Sequence, residues 1–203
     1  MARPKTDIEA RIVRAARKCF VQQGVDATSL RRVAERAKTS IGMIYYYFPT
    51  KDDLFLAVVE EPYQKLLLDL EQALGPGSTV ETRLRRLYVR IGAVSDDELL
   101  MVRMILREVL VSTSRRDKLI ERFKRGHLPM VIATLLDGLQ DGTFDRNYHP
   151  AVLFLSTLAL GTAPQFLRRW AGDRLPIVAA PQGEQLSNLL VDVLLHGTGA
   201  HVS

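Results

Sequence analysis

The 203-residue chain has one cysteine, Cys19, so no internal disulfide can form. That fits a reducing cytoplasm, and Cys19 falls on the apolar stripe of its helix, where a packed thiol is expected rather than a redox sensor. No apolar run approaches the ~18 residues of a membrane span. The start, MARPKTDIEARI, is basic but leads into no apolar stretch of a secretory signal. The expectation is a soluble, cytoplasmic protein with no membrane partner. Enzyme signatures are missing too: there is no P-loop, no G-x-S-x-G, no dinucleotide-binding glycine pattern and no Cys/His cluster at metal spacing. The four histidines, His127, His149, His196 and His201, are scattered. Asp96, Asp97 and Glu98 open a helix, where the dipole favours acids anyway. No enzyme activity, cofactor or metal is therefore expected. Period-two alternation is also absent, which leaves an all-α chain.

What is present is an apolar content of 47%, enough for a core, and a lopsided charge. Residues 1–51 hold eleven Lys/Arg against four Asp/Glu, net +7, whereas residues 52–203 hold seventeen against nineteen, net −2. A basic excess confined to the first quarter is expected if that quarter alone meets nucleic-acid phosphate. Arg3 and Lys5 form a short arm, and Thr6 or Asp7 caps a helix reaching about Gln23, with Gly24 closing it. The segment 28–54, TSLRRVAERAKTSIGMIYYYFPTKDDL, then packs two short helices across a tight turn. Ser29 precedes a stripe of Leu30, Val33, Ala34 and Ala37. Ser40 opens the next helix, which Pro49 stops. Ile44 and Phe48 define the buried face of that helix. Gly42, Met43, Tyr46 and Tyr47 point outward, and Ile41 and Tyr45 lie at the edges. Such a surface suits a DNA groove: apolar groups touch thymine methyls, phenols bond phosphates, and glycine admits a close backbone.

Thr28-Ser29, Val33 to Ala37, Ser40, Gly42, Ile44-Tyr45, Tyr47-Phe48, Lys51 and Leu54 resemble the helix-turn-helix signature of the TetR family of transcriptional regulators. The family usually has Gly-Val in the turn where this chain has Lys38-Thr39, so a residue bearing a Cβ is expected in a left-handed conformation at roughly 1 kcal/mol. Combined with the residue pattern, the resemblance makes Ser40, Ile41, Gly42, Met43, Tyr45, Tyr46 and Tyr47 candidates for DNA contact. Thr28, Arg31 and Lys51 are candidate phosphate partners. Lys51 stands in the first turn of a helix, against the dipole, as if waiting for an anion.

From Thr50 a long helix runs to about Leu74, bent by Pro62, as a lever into the second part. Helices follow over Thr79 to Val94, Asp96 to about Ser112, Arg116 to Gln140 with an interruption near Pro129, Pro150 to Trp170 and Gln182 to His196. The fold expected is an N-terminal three-helix helix-turn-helix domain, residues 1–51, joined to a C-terminal helical bundle, residues 52–203, with about nine helices. The last two helices are apolar on more than one face and call for a partner. The resemblance implies a homodimer with a four-helix interface, holding two recognition helices about 34 to 36 Å apart on a palindromic operator. It also implies a small apolar ligand, for which Tyr63, Tyr88, Met101, Met104, Ile105 and Phe154 offer lining, with Arg107, Thr157 and Gln165 as polar anchors. The reading is a ligand-responsive repressor. A helical-bundle enzyme or carrier with an incidental basic end, and a DNA-binding activator run by a protein partner, are the alternatives.

Overall fold

A computed structural model describes residues 7–171 and 181–198. The basic arm with Arg3 and Lys5, the Thr6 cap, most of the 171–181 loop and His201 lie outside the described residues. Among the described residues there are ten helices and no strand: α1 Asp7–Gln23, α2 Leu30–Ala37, α3 Ile41–Tyr47, α4 Lys51–Leu74, α5 Val80–Gly92, α6 Asp96–Val111, α7 Thr113–Lys124, α8 His127–Asp141, α9 Pro150–Ala171 and α10 Gly183–His196.

The chain divides into two compact units. The first combines residues 1–65 with residues 96–123, so that α6 and nearly all of α7 belong with the helix-turn-helix segment. Ile12, Ala16, Cys19 and Phe20 of α1 are buried together with Val33, Ile44, Leu54 and Phe55, each large side chain worth about 1.5 to 3 kcal/mol in removed apolar surface. The helix boundaries follow from local chemistry. Gly24 takes a φ of 84° and its N–H donates to the Phe20 carbonyl at 2.8 Å, ending α1. Thr50 and Asp53 cap α4 reciprocally: the Asp53 N–H donates to Thr50 Oγ1 at 3.1 Å and the Thr50 N–H to Asp53 Oδ2 at 3.1 Å.

The second unit comprises residues 66–95 and 124–203, with α5 packed against α8, α9 and α10. Leu84, Leu87 and Tyr88 of α5 share a core with Leu70, Leu135, Leu153 and Val191. Gly161 of α9 is needed for the fit, because a Cβ there would lie 2.8 Å from the Tyr88 ring. Around this core Arg83 pairs with Asp137 at 2.8 Å, Arg90 with Asp69 at 2.7 Å, and Arg85 with Asp192 at 2.6 Å.

The helix foreseen from Arg116 to Gln140 is two helices, broken at Gly126 rather than near Pro129. Pro129 sits in the first turn of α8, where its missing N–H has no intrahelical acceptor to lose. The described residues hold ten helices, in keeping with the about nine expected. Finally, α9 over Pro150–Trp170 is long and apolar enough by length and composition to cross a membrane, with mean hydropathy 1.4. Its apolar residues are interrupted by Ser, Thr and Gln, and its only charges, Arg168 and Arg169, stand at its end. Val152, Leu155 and Leu158 on it are half or more exposed.

Candidate nucleic-acid interface

The turn between α2 and α3 sets the site. Lys38 has φ 51° and ψ 52° and is the single non-glycine at positive φ among the described residues. This is the left-handed residue foreseen from the sequence. Its N–H and that of Thr39 return to the Glu35 and Ala34 carbonyls at 3.1 and 3.0 Å, a closure that needs the reversed backbone. Ser40 then caps α3, its Oγ accepting from the Met43 N–H at 3.3 Å. Ile44 and Phe48 are buried and anchor α3 to the unit.

That anchoring leaves Ile41, Gly42, Tyr45 and Tyr46 exposed, with Met43 and Tyr47 partly so. Tyr46, at 62% exposure, meets the Tyr47 ring edge-on at 5.2 Å. Large apolar side chains facing water on a seven-residue helix are costly unless something covers them. Gly42 points the same way. A Cβ there would meet nothing nearer than Ser40 Oγ at 3.7 Å, so neither the fold nor its φ demands a glycine. Ser40 and Arg31 are exposed as well.

Two candidate phosphate partners stand differently from the expectation. Thr28 is buried, and its hydroxyl donates to the Gly24 carbonyl at 2.6 Å; it fastens the loop after α1 and has no surface to offer a phosphate, so that assignment is withdrawn. Lys51 Nζ donates to the Val25 and Asp26 carbonyls at 3.2 and 3.0 Å. Its position at the start of α4 is thus explained within the protein. An ammonium has three donors, and Lys51 remains only half-buried, so one donor is left for an external anion.

Sequence reasoning missed the cluster that holds this loop. Arg115 of α7 is 5% exposed and reaches three carboxylates: Asp26 at 2.8 Å, Asp52 at 3.0 Å and Glu108 at 2.8 Å. The Nε of Arg115 and the Oε2 of Glu108 are close but not aligned for a hydrogen bond, so that contact is Coulombic. Glu108, fully buried, also accepts from the Val25 N–H at 3.4 Å, and Arg107 donates to the Gln23 carbonyl at 2.9 Å. The Arg115 guanidinium holds the Asp26 carboxyl below its usual range, and the Lys118 ammonium, at 2.7 Å, together with Thr50, does the same for Asp53. The available signal was Glu108 itself, a carboxylate at helical spacing on the stripe of Met101 and Met104.

The ligand candidates separate. Tyr88, Phe154, Thr157 and Gln165 come together in the second unit. There the Tyr88 hydroxyl donates to the Thr157 carbonyl at 2.9 Å, Gln165 Nε2 donates to the Tyr88 carbonyl at 2.9 Å, and Phe154 packs on the same core. Burial pushes the Tyr88 phenol pKa up. Tyr63, Met101, Met104, Ile105 and Arg107 belong to the first unit. In that unit the Tyr63 ring meets that of Phe123 at a tilt, centroids 5.4 Å apart, beneath the Arg122 guanidinium, and Met101 and Met104 are buried.

Comparison with known proteins places this geometry. The family model for bacterial regulatory proteins, tetR family, matches residues 12–58. The fatty acid metabolism regulator protein of Bacillus subtilis is 21% identical over 190 residues, 92% of this chain and 93% of that protein. An HTH-type transcriptional repressor of Mycobacterium tuberculosis is 34% identical over 82 residues, 40% of this chain and 43% of its own length. The crystal structure of the transcriptional regulator FadR from Bacillus subtilis in complex with stearoyl-CoA superposes with a TM-score of 0.75 at 17% identity, covering 94% of this chain and 99% of that one. The matched residues span α1 to the start of α4 and the fold is shared over almost the whole chain, so residues 12–58 are similar to the DNA-binding segment of tetR-family regulators and the chain shares the fold of these transcriptional regulators.

Proposed function

We propose that the protein is a cytoplasmic homodimeric repressor that reads a palindromic operator with α3 and releases it on binding an apolar ligand. The observation that carries the reading is the outward face of α3, where Ile41, Tyr45 and Tyr46 are exposed beside a Gly42 that the fold does not require. Ile41, Gly42, Met43 and Tyr46 read base edges; Arg31, Ser40, Tyr45, Tyr47 and the remaining donor of Lys51 hold phosphates. DNA recognition resides in residues 1–51, and dimerisation and ligand binding in residues 52–203. The exposed stripe of Val152, Leu155 and Leu158 on α9, beside Leu189 on α10, supports a twofold interface. For the ligand, likeness to a fatty acid metabolism regulator, and to a FadR structure titled as a complex with stearoyl-CoA, supports a long-chain acyl thioester. Ligand that prefers one conformation shifts DNA affinity by its differential binding to the two states.

The test has two stages. Selection of bound sequences from random DNA is expected to return a palindrome with half-sites one helical turn apart; a consensus without twofold symmetry refutes the dimeric reading. Stearoyl-CoA titrated into the protein–operator complex is expected to raise the melting temperature of the protein and release the DNA together. Stabilisation without release overturns the ligand-responsive half while leaving the DNA reading intact.

A further inference from the structure

Within the first unit, α1, the end of α2 and the start of α6 enclose an open groove of about 770 Å³, in the size range of small-molecule sites, about 300 to 1,000 Å³. Its walls carry Arg14 and Lys18, one turn apart on α1, and Arg36 and Lys38 at the end of α2. All four are exposed, and none of their side chains has an ion pair or hydrogen bond among the described residues. Like charges at i, i+4 destabilise a helix, and Lys38 occupies the left-handed position where glycine would be unstrained. A concave surface has thus gathered four unneutralised cations against both local preferences.

The single carboxylate lining the groove is Asp97, at the start of α6, and Arg17 lies 3.6 Å from it. The floor is apolar, with Val21 and Leu100 among its residues. No lining residue comes from α3 or from residues 43–51, so the groove is separate from the face assigned to base reading. A DNA duplex presents its phosphates on a convex cylinder, which a cleft between helices admits poorly. A small flexible chain of phosphates fits the cleft and matches its charge.

We propose that this groove is a binding site for a small polyphosphate, such as the triphosphate of a nucleotide. Arg14, Lys18, Arg36 and Lys38 take the phosphates, and the floor of Val21 and Leu100 takes any apolar remainder. Charge-assisted contacts of this kind are the strong ones, and the guanidinium of Arg17 joins them once the anion displaces Asp97.

Calorimetry on the full-length protein at 0.15 M salt, with inorganic tripolyphosphate and with ATP as probes, tests the proposal. Saturable binding of one anion per chain is expected. Arg14→Gln with Arg36→Gln is expected to weaken it by about tenfold or more, Lys65→Gln with Arg125→Gln by less than about twofold, and Asp97→Asn is expected to tighten it. All these side chains are exposed, and circular dichroism checks that each variant is folded. The proposal is overturned if neither probe saturates up to millimolar concentration, or if both double variants weaken binding equally, which marks diffuse electrostatics. It is also overturned if Arg14→Gln with Arg36→Gln shortens the operator footprint while tripolyphosphate binding is unchanged, which assigns these cations to DNA.

Discussion

Replacing Arg115 by Met removes the cation on which the loop after α1, the start of α4 and the end of α6 converge. At 2.8 Å from Glu108, the gross attraction is about 6 kcal/mol at an effective dielectric constant near 20, most of it offset in the native protein by the lost hydration of both ions. Without Arg115, Glu108 remains at 1% exposure with its desolvation uncompensated, which costs about 3 to 5 kcal/mol. Asp26 and Asp52 have more water, with side chains 71% and 21% exposed, and each adds at most about 1 kcal/mol. Glu108 therefore dominates, and the loss is a large share of the total stability of roughly 5 to 15 kcal/mol typical of native proteins. Urea unfolding followed by circular dichroism is expected to show this loss for Arg115→Met. Removing both charges, Glu108→Gln with Arg115→Met, should recover more than half of it, since no unpaired ion is left. Operator affinity should fall in the single variant even at temperatures where it is folded, because the loop braced by Lys51 loses its second support. A single variant within about 1 kcal/mol of the parent, or a double variant as unstable as the single, refutes this reasoning.

Gly42→Ala should leave the melting temperature within about 1 °C, because its Cβ meets open space apart from Ser40 Oγ, yet lower operator affinity by about 1 to 3 kcal/mol if the backbone there approaches a base; unchanged affinity in a filter-binding titration removes Gly42 from the interface. Asp26 and Asp53 have folded pKa values below their unfolded ones. Their stabilisation is thus fully present above the unfolded pKa, about 4, and is lost as pH falls through the depressed values. Acid titration of Asp26→Asn with Asp53→Asn should show a shallower loss of stability below pH 4, and identical acid limbs contradict the assignment. Leu155→Arg, at a site already 61% exposed, should leave the fold intact and convert dimers to monomers in sedimentation equilibrium, whereas a variant that sediments as the parent moves the interface elsewhere.

The helix-turn-helix segment was legible because its determinants are local. Ser40 caps a helix by accepting from an N–H three residues on, Ile44 and Phe48 lie four apart, and the Lys38 reversal is forced by two helices meeting in a short turn. The Gly126 break was hidden because the eye falls on Pro129, three residues on, although proline is at ease in a first helical turn. The membership of α6 and α7 was hidden for a different reason. It depends on pairs such as Arg115 with Asp26, 89 residues apart, and no periodicity reports a contact between distant helices. The same holds for the candidate ligand lining, of which Tyr63 and Met104 belong to the first unit and Tyr88 and Phe154 to the second.

Because the first unit is discontinuous in sequence, the DNA-reading segment leaves the ribosome well before the residues that brace it. At about 5 to 20 residues per second, some 4 to 18 s separate the synthesis of Asp26 from that of Arg115. Through that interval α1 to α3 lack their buried cation, and the exposed tyrosines of α3 stand on an unbraced loop. Contacts of such long separation also slow folding. The nascent chain is thus denied a finished DNA-binding head until α7 has been made.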